Sequence, residues 1–195
     1  MIASLLALTL AAAPSPLAVV KNGNAEIQKV LDAPGATTEK LAARADEFVD
    51  FVELAKRALG KEWAKLSQKQ QDDFAQTMKG LLRASYAQKA IGNGKSKATT
   101  EYGAEQVSGD EATVATTIAL DTNKISVDYK LYRAGAKGAW KIYDVVTDTV
   151  SLVATYQDQF RSVLAKKGFD GLLTTLKAKR DQLERKGATP TAGAK

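Results

Sequence analysis

Neither cysteine nor histidine occurs among the 195 residues. That removes thiol nucleophiles, imidazole bases, histidine triads and nearly every zinc site. A chain without cysteine also fits a compartment whose oxidising conditions it meets without disulfides. Long hydrophobic runs are scarce as well. Residues 1–13 form one apolar, alanine-rich run, too short to span a bilayer as a helix. No internal repeat is visible, and no linker is long enough to divide the chain.

The apolar (45%) and charged (26%) fractions are those of a soluble globular domain. Residues 1–20 carry no charged side chain and read as a secretory signal, with Ala11-Ala12-Ala13 or Leu17-Ala18 before the cut. Pro14 and Pro16 argue against a buried helix there. Only the α-amino group supplies positive charge near Met1. The expected layout is a signal segment at 1–20, one domain at 21–186 and a frayed tail at 187–195. The net charge of +6 invites anionic partners. The basic residues are scattered, however, and densest at the end: Lys166, Lys167, Lys177, Lys179, Arg180, Arg185 and Lys186. There Asp181 and Glu184 interrupt them, which suits a solvated helix face. No nucleic-acid module motif is present, and aromatic residues do not interleave with basic ones.

Helical periodicity comes first. Asn24 is placed to cap a short helix carrying Ile27, Val30 and Leu31, ended by Pro34-Gly35. A longer helix is predicted from Thr37 or Thr38 to Leu59, with Phe48, Val52, Ala55, Leu59, Trp63 and Leu66 on one stripe and an interruption at Gly60. Ser67 and Gln70 make a capping box for a third helix. It bears Phe74, Met78, Leu81, Leu82 and Ser85 on one side and ends before Gly92-Asn93-Gly94. The period then becomes two. Ala112, Val114, Thr116, Ile118 and Leu120 alternate with polar residues, as do Ile125, Val127, Tyr129 and Leu131, then Trp140 and Ile142. Links at Asp121-Thr122-Asn123 and 134–138 make these strands antiparallel neighbours, and 97–107 supplies one further strand. Helices at 151–166 and 169–185 close the chain. This order predicts an α+β domain: an antiparallel or mixed curved sheet of about four strands, its helices packed on one side and enclosing an apolar cavity.

Chemistry-bearing residues are few. Gly94-Lys95-Ser96 resembles the end of a phosphate loop, but Lys89 stands where its first glycine belongs. Asp128, Asp144 and Asp148 could pair, and a buried one beside Tyr129 or Tyr143 could act as a base. Only Asp144, flanked by Ile142, Tyr143, Val145 and Val146, has neighbours that suggest burial. Trp63, Phe74, Tyr86, Tyr129, Trp140, Tyr143, Tyr156 and Phe160 are expected to converge on one sheet face. A core left incompletely filled there would take an acyl chain. At ~0.8 kcal/mol per methylene, about sixteen carbons contribute roughly 10 kcal/mol before ordering costs.

Several segments resemble the MlaC (toluene-tolerance) family of periplasmic phospholipid carriers. Residues 140–160, WKIYDVVTDTVSLVATYQDQF, are similar to its most recognisable passage, and Gly168-Phe169-Asp170-Gly171-Leu172 to the sequel. Residues 50–63 and 67–86 resemble two of its helices. Three positions depart: Thr149 where glycine is common, Thr155 where asparagine is usual, and Gln157 where arginine is usual. The resemblance implies a soluble, monomeric periplasmic protein without cofactor, metal or catalytic residue. It would shuttle phospholipid between an inner-membrane ABC transporter with its MCE-type complex and an outer-membrane lipoprotein–porin complex, serving outer-membrane lipid asymmetry. The transporter's ATPase would supply the energy.

Phe74, Met78, Leu82, Val127, Tyr129, Ile142, Val145, Val153, Tyr156 and Phe160 are the expected lipid-binding residues, chosen by predicted face. Val127→Trp or Val145→Trp is expected to block uptake. Residues 140–144 are read as building the fold, with Tyr143 and Asp144 tying strand to helix. Two other readings stand beside the carrier. One is a cone-shaped α+β isomerase using Asp128 or Asp144 as base. The other is a protein-binding adaptor with a filled core.

Overall fold

Ser15, not Asn24, opens the first helix. In the computed structural model, which describes residues 13–93, 98–120, 122–136 and 138–188, helix α1 spans Pro16–Asp32. Ser15 Oγ accepts from the Ala18 amide at 3.2 Å. Pro16 sits in the first turn, where its missing N–H costs nothing. Proline therefore starts this helix, contrary to the expectation that it would prevent one. The expected boundary at residue 20 falls inside α1, and Val20 is only 1% exposed. Asn24 lies within the helix and joins two strand tyrosines, donating to Tyr102 Oη and accepting from Tyr129 Oη.

The long helix expected from Thr38 to Leu59 is two helices: α2 (Thr38–Ala45) and α3 (Phe51–Leu59). Between them Val49 forms a parallel bridge with Ile142. The Asp50 amide donates to Ile142 O, and the Ile142 amide to Phe48 O, each at 2.8 Å. Asp50 Oδ1 then caps α3 through the Val52 and Glu53 amides. A strand–loop bond plus a strong N-cap outweigh helix continuation here. Val52, expected on the stripe, is consequently exposed. Gly60, at φ 63°, ends α3 and leads into a 3-10 turn, Gly60–Lys65. The capping box forms as read, with the Ser67 amide donating to Gln70 Oε1 at 3.0 Å, and α4 runs Gln68–Asn93.

Five strands follow: β1 (Ala98–Ser108), β2 (Glu111–Leu120), β3 (Asn123–Tyr132), β4 (Lys141–Thr147) and β5 (Val150–Ser151). They form an open antiparallel sheet in chain order. Helix α5, Leu152–Ala188, is broken at Gly168, whose φ is 64°. The expected links or elements at Gly94-Lys95-Ser96, Lys97, Asp121 and Lys137, and the segments 1–12 and 189–195, lie outside the described residues.

Between Lys130 and Leu131 the β3–β4 register slips, so that Tyr143 has no partner across the ladder. The bulge breaks the alternation of β4. Ile142, Tyr143 and Asp144, consecutive in sequence, are all buried.

The aromatic residues expected on one face divide between two cores. Phe74, Met78, Tyr156 and Phe160 lie in the core that α3, α4 and α5 build, with Trp63 and Val153 packed against it. Trp140 and Ile142 lie with Val20, Val114 and Leu131 in the core between α1 and the sheet, to which Tyr129 and Val145 are peripheral. Tyr86 is 49% exposed.

Candidate functional site

At β4 the two cores leave a cleft of about 480 Å³. Ile142, Tyr143, Asp144, Val145 and Thr147 form its sheet wall, all drawn from the bulged strand. Val49, Phe51 and Leu54 of the bridge and α3 form a second side, and Leu82, Arg83 and Tyr86 of α4 a third. Val150, Leu152 and Thr155 complete it beside the β4–β5 hairpin. Tyr86 and Val150 (62% exposed) stand among the lining residues as accessible apolar surface. Among the described residues this apolar space is a cleft open to solvent, where the sequence suggested an enclosed cavity.

Two side chains in the wall carry formal charge, and Asp144 is fully engaged. Its Oδ2 accepts from Ser151 Oγ at 2.6 Å and its Oδ1 from the Val153 amide at 3.0 Å. Ser151 Oγ in turn accepts from the Ala154 amide. The carboxylate thus satisfies one first-turn amide of α5 itself and holds the serine that satisfies another, at the positive dipole end that favours it. The expected strand-to-helix tie is this pair of bonds. Asp128 does not line the cleft and is opposite Val146 in the ladder. Tyr129, its chain neighbour, points its hydroxyl to Asn24. Asp148 belongs to the β4–β5 turn, where its Oδ1 accepts from the Ser126 amide. The three aspartates are therefore not brought together.

A polar network braces α3 against the sheet behind the cleft. Arg57 donates from Nε to Glu53 and from Nη2 to Glu111, and its guanidinium lies 3.7 Å from the Tyr143 ring centroid. Tyr143 Oη donates to Glu111 Oε2 at 2.8 Å, and Tyr132 Oη donates to Asp50. Burial, then the Glu111 bond, pushes the Tyr143 hydroxyl up to about 12. Burial likewise raises Tyr156 to about 12.

Of the ten expected lipid-binding residues, the cleft brings together Leu82, Ile142 and Val145. Phe74, Met78, Val153 and Tyr156 fill the helical core. Val127 and Tyr129 lie elsewhere on β3. Phe160 borders a separate cleft of about 610 Å³ near the Gly168 break, with Gln157, Leu164 and Phe169. The ten expected residues leave out Val49, Phe51, Leu54, Arg83 and Val150, and also Tyr86, which was expected only among the converging aromatics. Tyr86 was detectable, because it follows Leu82 on α4 by four residues and shares its helix flank, whereas Arg83, one residue on, does not.

A family model, described as MlaC protein, matches residues 15–178. The chain belongs to the MlaC family. Its fold is similar to that of a phospholipid-binding protein from Ralstonia solanacearum, solved in complex with a phospholipid. The TM-score is 0.78 at 24% sequence identity, covering 88% of this chain and 99% of that one. This MlaC-family chain shows what two of its departures do. Thr149 occupies the turn between β4 and β5 at φ 73°, beside Asp148 at φ 45°, a two-residue hairpin with both residues left-handed. Glycine is common there because it adopts that backbone freely. Thr155 lines the cleft while its hydroxyl donates to Ser151 O at 2.7 Å.

Proposed function

We propose that this protein is a periplasmic phospholipid carrier that holds acyl chains in the β4 cleft. The observation that carries the reading is the cleft wall. It is apolar over nearly all its lining, and its one carboxylate is committed to capping α5. Such a surface binds hydrocarbon by removing it from water and has no poised acid or base, so no bond is broken. This counts against the isomerase reading. The apolar opening at Tyr86 and Val150 counts against an adaptor whose core is filled. The phospholipid complex of the Ralstonia relative, together with family membership, supports phospholipid over other apolar ligands.

The carrier acts as a monomer between an inner-membrane ABC transporter with its MCE-type complex and an outer-membrane lipoprotein–porin complex. Residues 1–13 are its export signal, removed before α1. Among the described residues no helix is long and apolar enough to cross a membrane. The net charge of +6 speeds brief docking to acidic surfaces. It does not serve nucleic acid.

Native mass spectrometry of protein purified without detergent, with solvent extraction of what it carries, tests this. Phospholipid released on denaturation is the expected result. Protein that carries none, and takes none from labelled vesicles, would sink the carrier reading.

A further inference from the structure

Arg83 is the second charged residue of the cleft wall, and its bonding is incomplete. Asp46, at the C-terminal end of α2, takes both neighbouring cations on one oxygen. Arg83 Nη2 donates to Asp46 Oδ2, and Lys79 Nζ lies 2.9 Å from the same atom. A side-on pair would also have joined Arg83 Nε to Asp46 Oδ1. With Lys79 crowding Oδ2, the contact is made through a single N–H. Arg83 Nε and Asp46 Oδ1 are buried, and they are the side-chain atoms among the described residues that lack a hydrogen-bond partner there. One orphan is a donor and the other an acceptor, on two residues joined by the Nη2–Oδ2 bond.

Their position gives the mismatch a use. Arg83 lines the apolar cleft, while Asp46 and Lys79 line a smaller cleft of about 250 Å³ and mixed character with Gln76 and Lys141. Val49 and Phe51 border both. The ion cluster thus stands where the apolar space meets a cleft that carries charged side chains, the kind of junction a bound phospholipid straddles. The Arg83 and Asp46 side chains are 37% and 29% exposed as wholes while these two atoms are buried, so a headgroup reaches them only once the side chains turn.

We infer that Arg83 and Asp46 read the headgroup of the bound lipid: a phosphate oxygen accepts from Arg83 Nε, and an N–H or O–H donor of the same headgroup bonds Asp46 Oδ1. The inference rests on the carrier reading and adds a selectivity to it. Headgroups with both a phosphate and a donor, ethanolamine or glycerol, satisfy both atoms. Phosphocholine has no donor and leaves Asp46 Oδ1 unpaired, at a cost. Lys79 stays on Oδ2 and keeps the cluster net positive for the phosphate.

The test uses the full mature protein, stripped of lipid and incubated with vesicles holding equal amounts of phosphatidylethanolamine, phosphatidylglycerol and phosphatidylcholine with identical chains. The wild type is expected to extract the first two over phosphatidylcholine by about fivefold, the effect of one hydrogen bond. Arg83→Lys keeps the charge but has no Nε fork, and Asp46→Asn keeps the shape. Arg83→Lys loses a phosphate contact common to all three lipids and is expected to load about fivefold less of each at the wild-type ratio, whereas Asp46→Asn is expected to bring the ratio near one. An Asp46→Asn variant that keeps the wild-type ratio, an Arg83→Lys variant that loads as much as the wild type, or a wild type that loads all three equally would overturn the inference and leave the carrier standing. A wild type that loads no lipid would bring down the carrier reading itself. Glycerophosphoethanolamine, the headgroup without chains, is the control: tight binding of it would assign the pair to a soluble phosphodiester and overturn the lipid assignment. Thermal melts of both variants separate misfolding from lost loading or selectivity.

Discussion

Thr149 holds a β-branched side chain in the left-handed region, which costs an L-residue ~1–2 kcal/mol. Glycine would remove that strain and lose ~0.5–1 kcal/mol of chain entropy instead. Thr149→Gly is therefore expected to raise stability by up to about 1 kcal/mol, read as a higher denaturation midpoint at unchanged slope. Asp144 sits at the other extreme. At 2% exposure it satisfies the Ser151 hydroxyl and the Val153 amide. Asp144→Ala strands both groups and is expected to cost about 2–4 kcal/mol in a urea titration. A loss below 0.5 kcal/mol would mean that water replaces the carboxylate. The tyrosines give a pH dependence. Burial raises the hydroxyls of Tyr143 and Tyr156 to about 12, above the ~10 of an unfolded chain. A raised value means the folded state binds the proton more tightly. Their stabilisation is thus full below about pH 10 and is lost as pH rises from there toward 12. Melting curves from pH 8 to 12 should fall across that window, less steeply in Tyr156→Phe.

Among the elements, β4 does most to shape the site. Its bulge turns four consecutive residues, 142–145, into cleft wall, whereas simple alternation would offer two. Val145 is half-buried there. Val145→Trp is expected to fill the cleft and reduce lipid loading severalfold while Tm moves by only a few degrees. Val127, which shared that expectation, is buried outside the cleft lining, so Val127→Trp should overpack the domain and lower its Tm instead. Equal loading of Val145→Trp and wild type would move the acyl chains elsewhere. The capping box at Ser67, the break at Gly168 and the β2–β3 hairpin were legible because local chemistry sets them. The division of α2 from α3 was not. It depends on Val49 pairing with Ile142, ninety-odd residues away in the chain, and only the Asp50 cap gave a local hint.

For the whole molecule, the two cores carry different risks. The sheet core needs α1: Val20 is fully buried in it and Leu17 packs against it. Glu105 of β1 also accepts from the Leu17 amide at 2.6 Å. A chain begun at Pro14 is expected to fold as the longer chain does. One begun at Lys21 loses these contacts and should melt well lower, by on the order of 10 °C for a loss of ~3 kcal/mol. Equal melting would show α1 to be dispensable. The comparison also bears on the export cut, since a cut after Ala13 spares α1 and one after Ala18 divides it. Charge acts at this scale too. With net +6, uptake from phosphatidylglycerol vesicles should slow as salt rises from 50 to ~500 mM, because the Debye length shrinks several-fold from its low-salt value.

Fold class, strand order, most helix boundaries and family were all readable along the chain. Each follows from periodicity, caps, turn residues or a run of matching words, and these are local. Which apolar face meets which was not readable. An amphipathic pattern says that a side is buried without saying against what, so Phe74 and Tyr129 looked like partners and lie in separate cores. The cleft arises where those cores fail to meet, beside a bulge no alternation signals. Its polar reader, Arg83 with Asp46, joins residues 37 positions apart through a single shared oxygen. Such a contact exists only once helices α2 and α4 are packed.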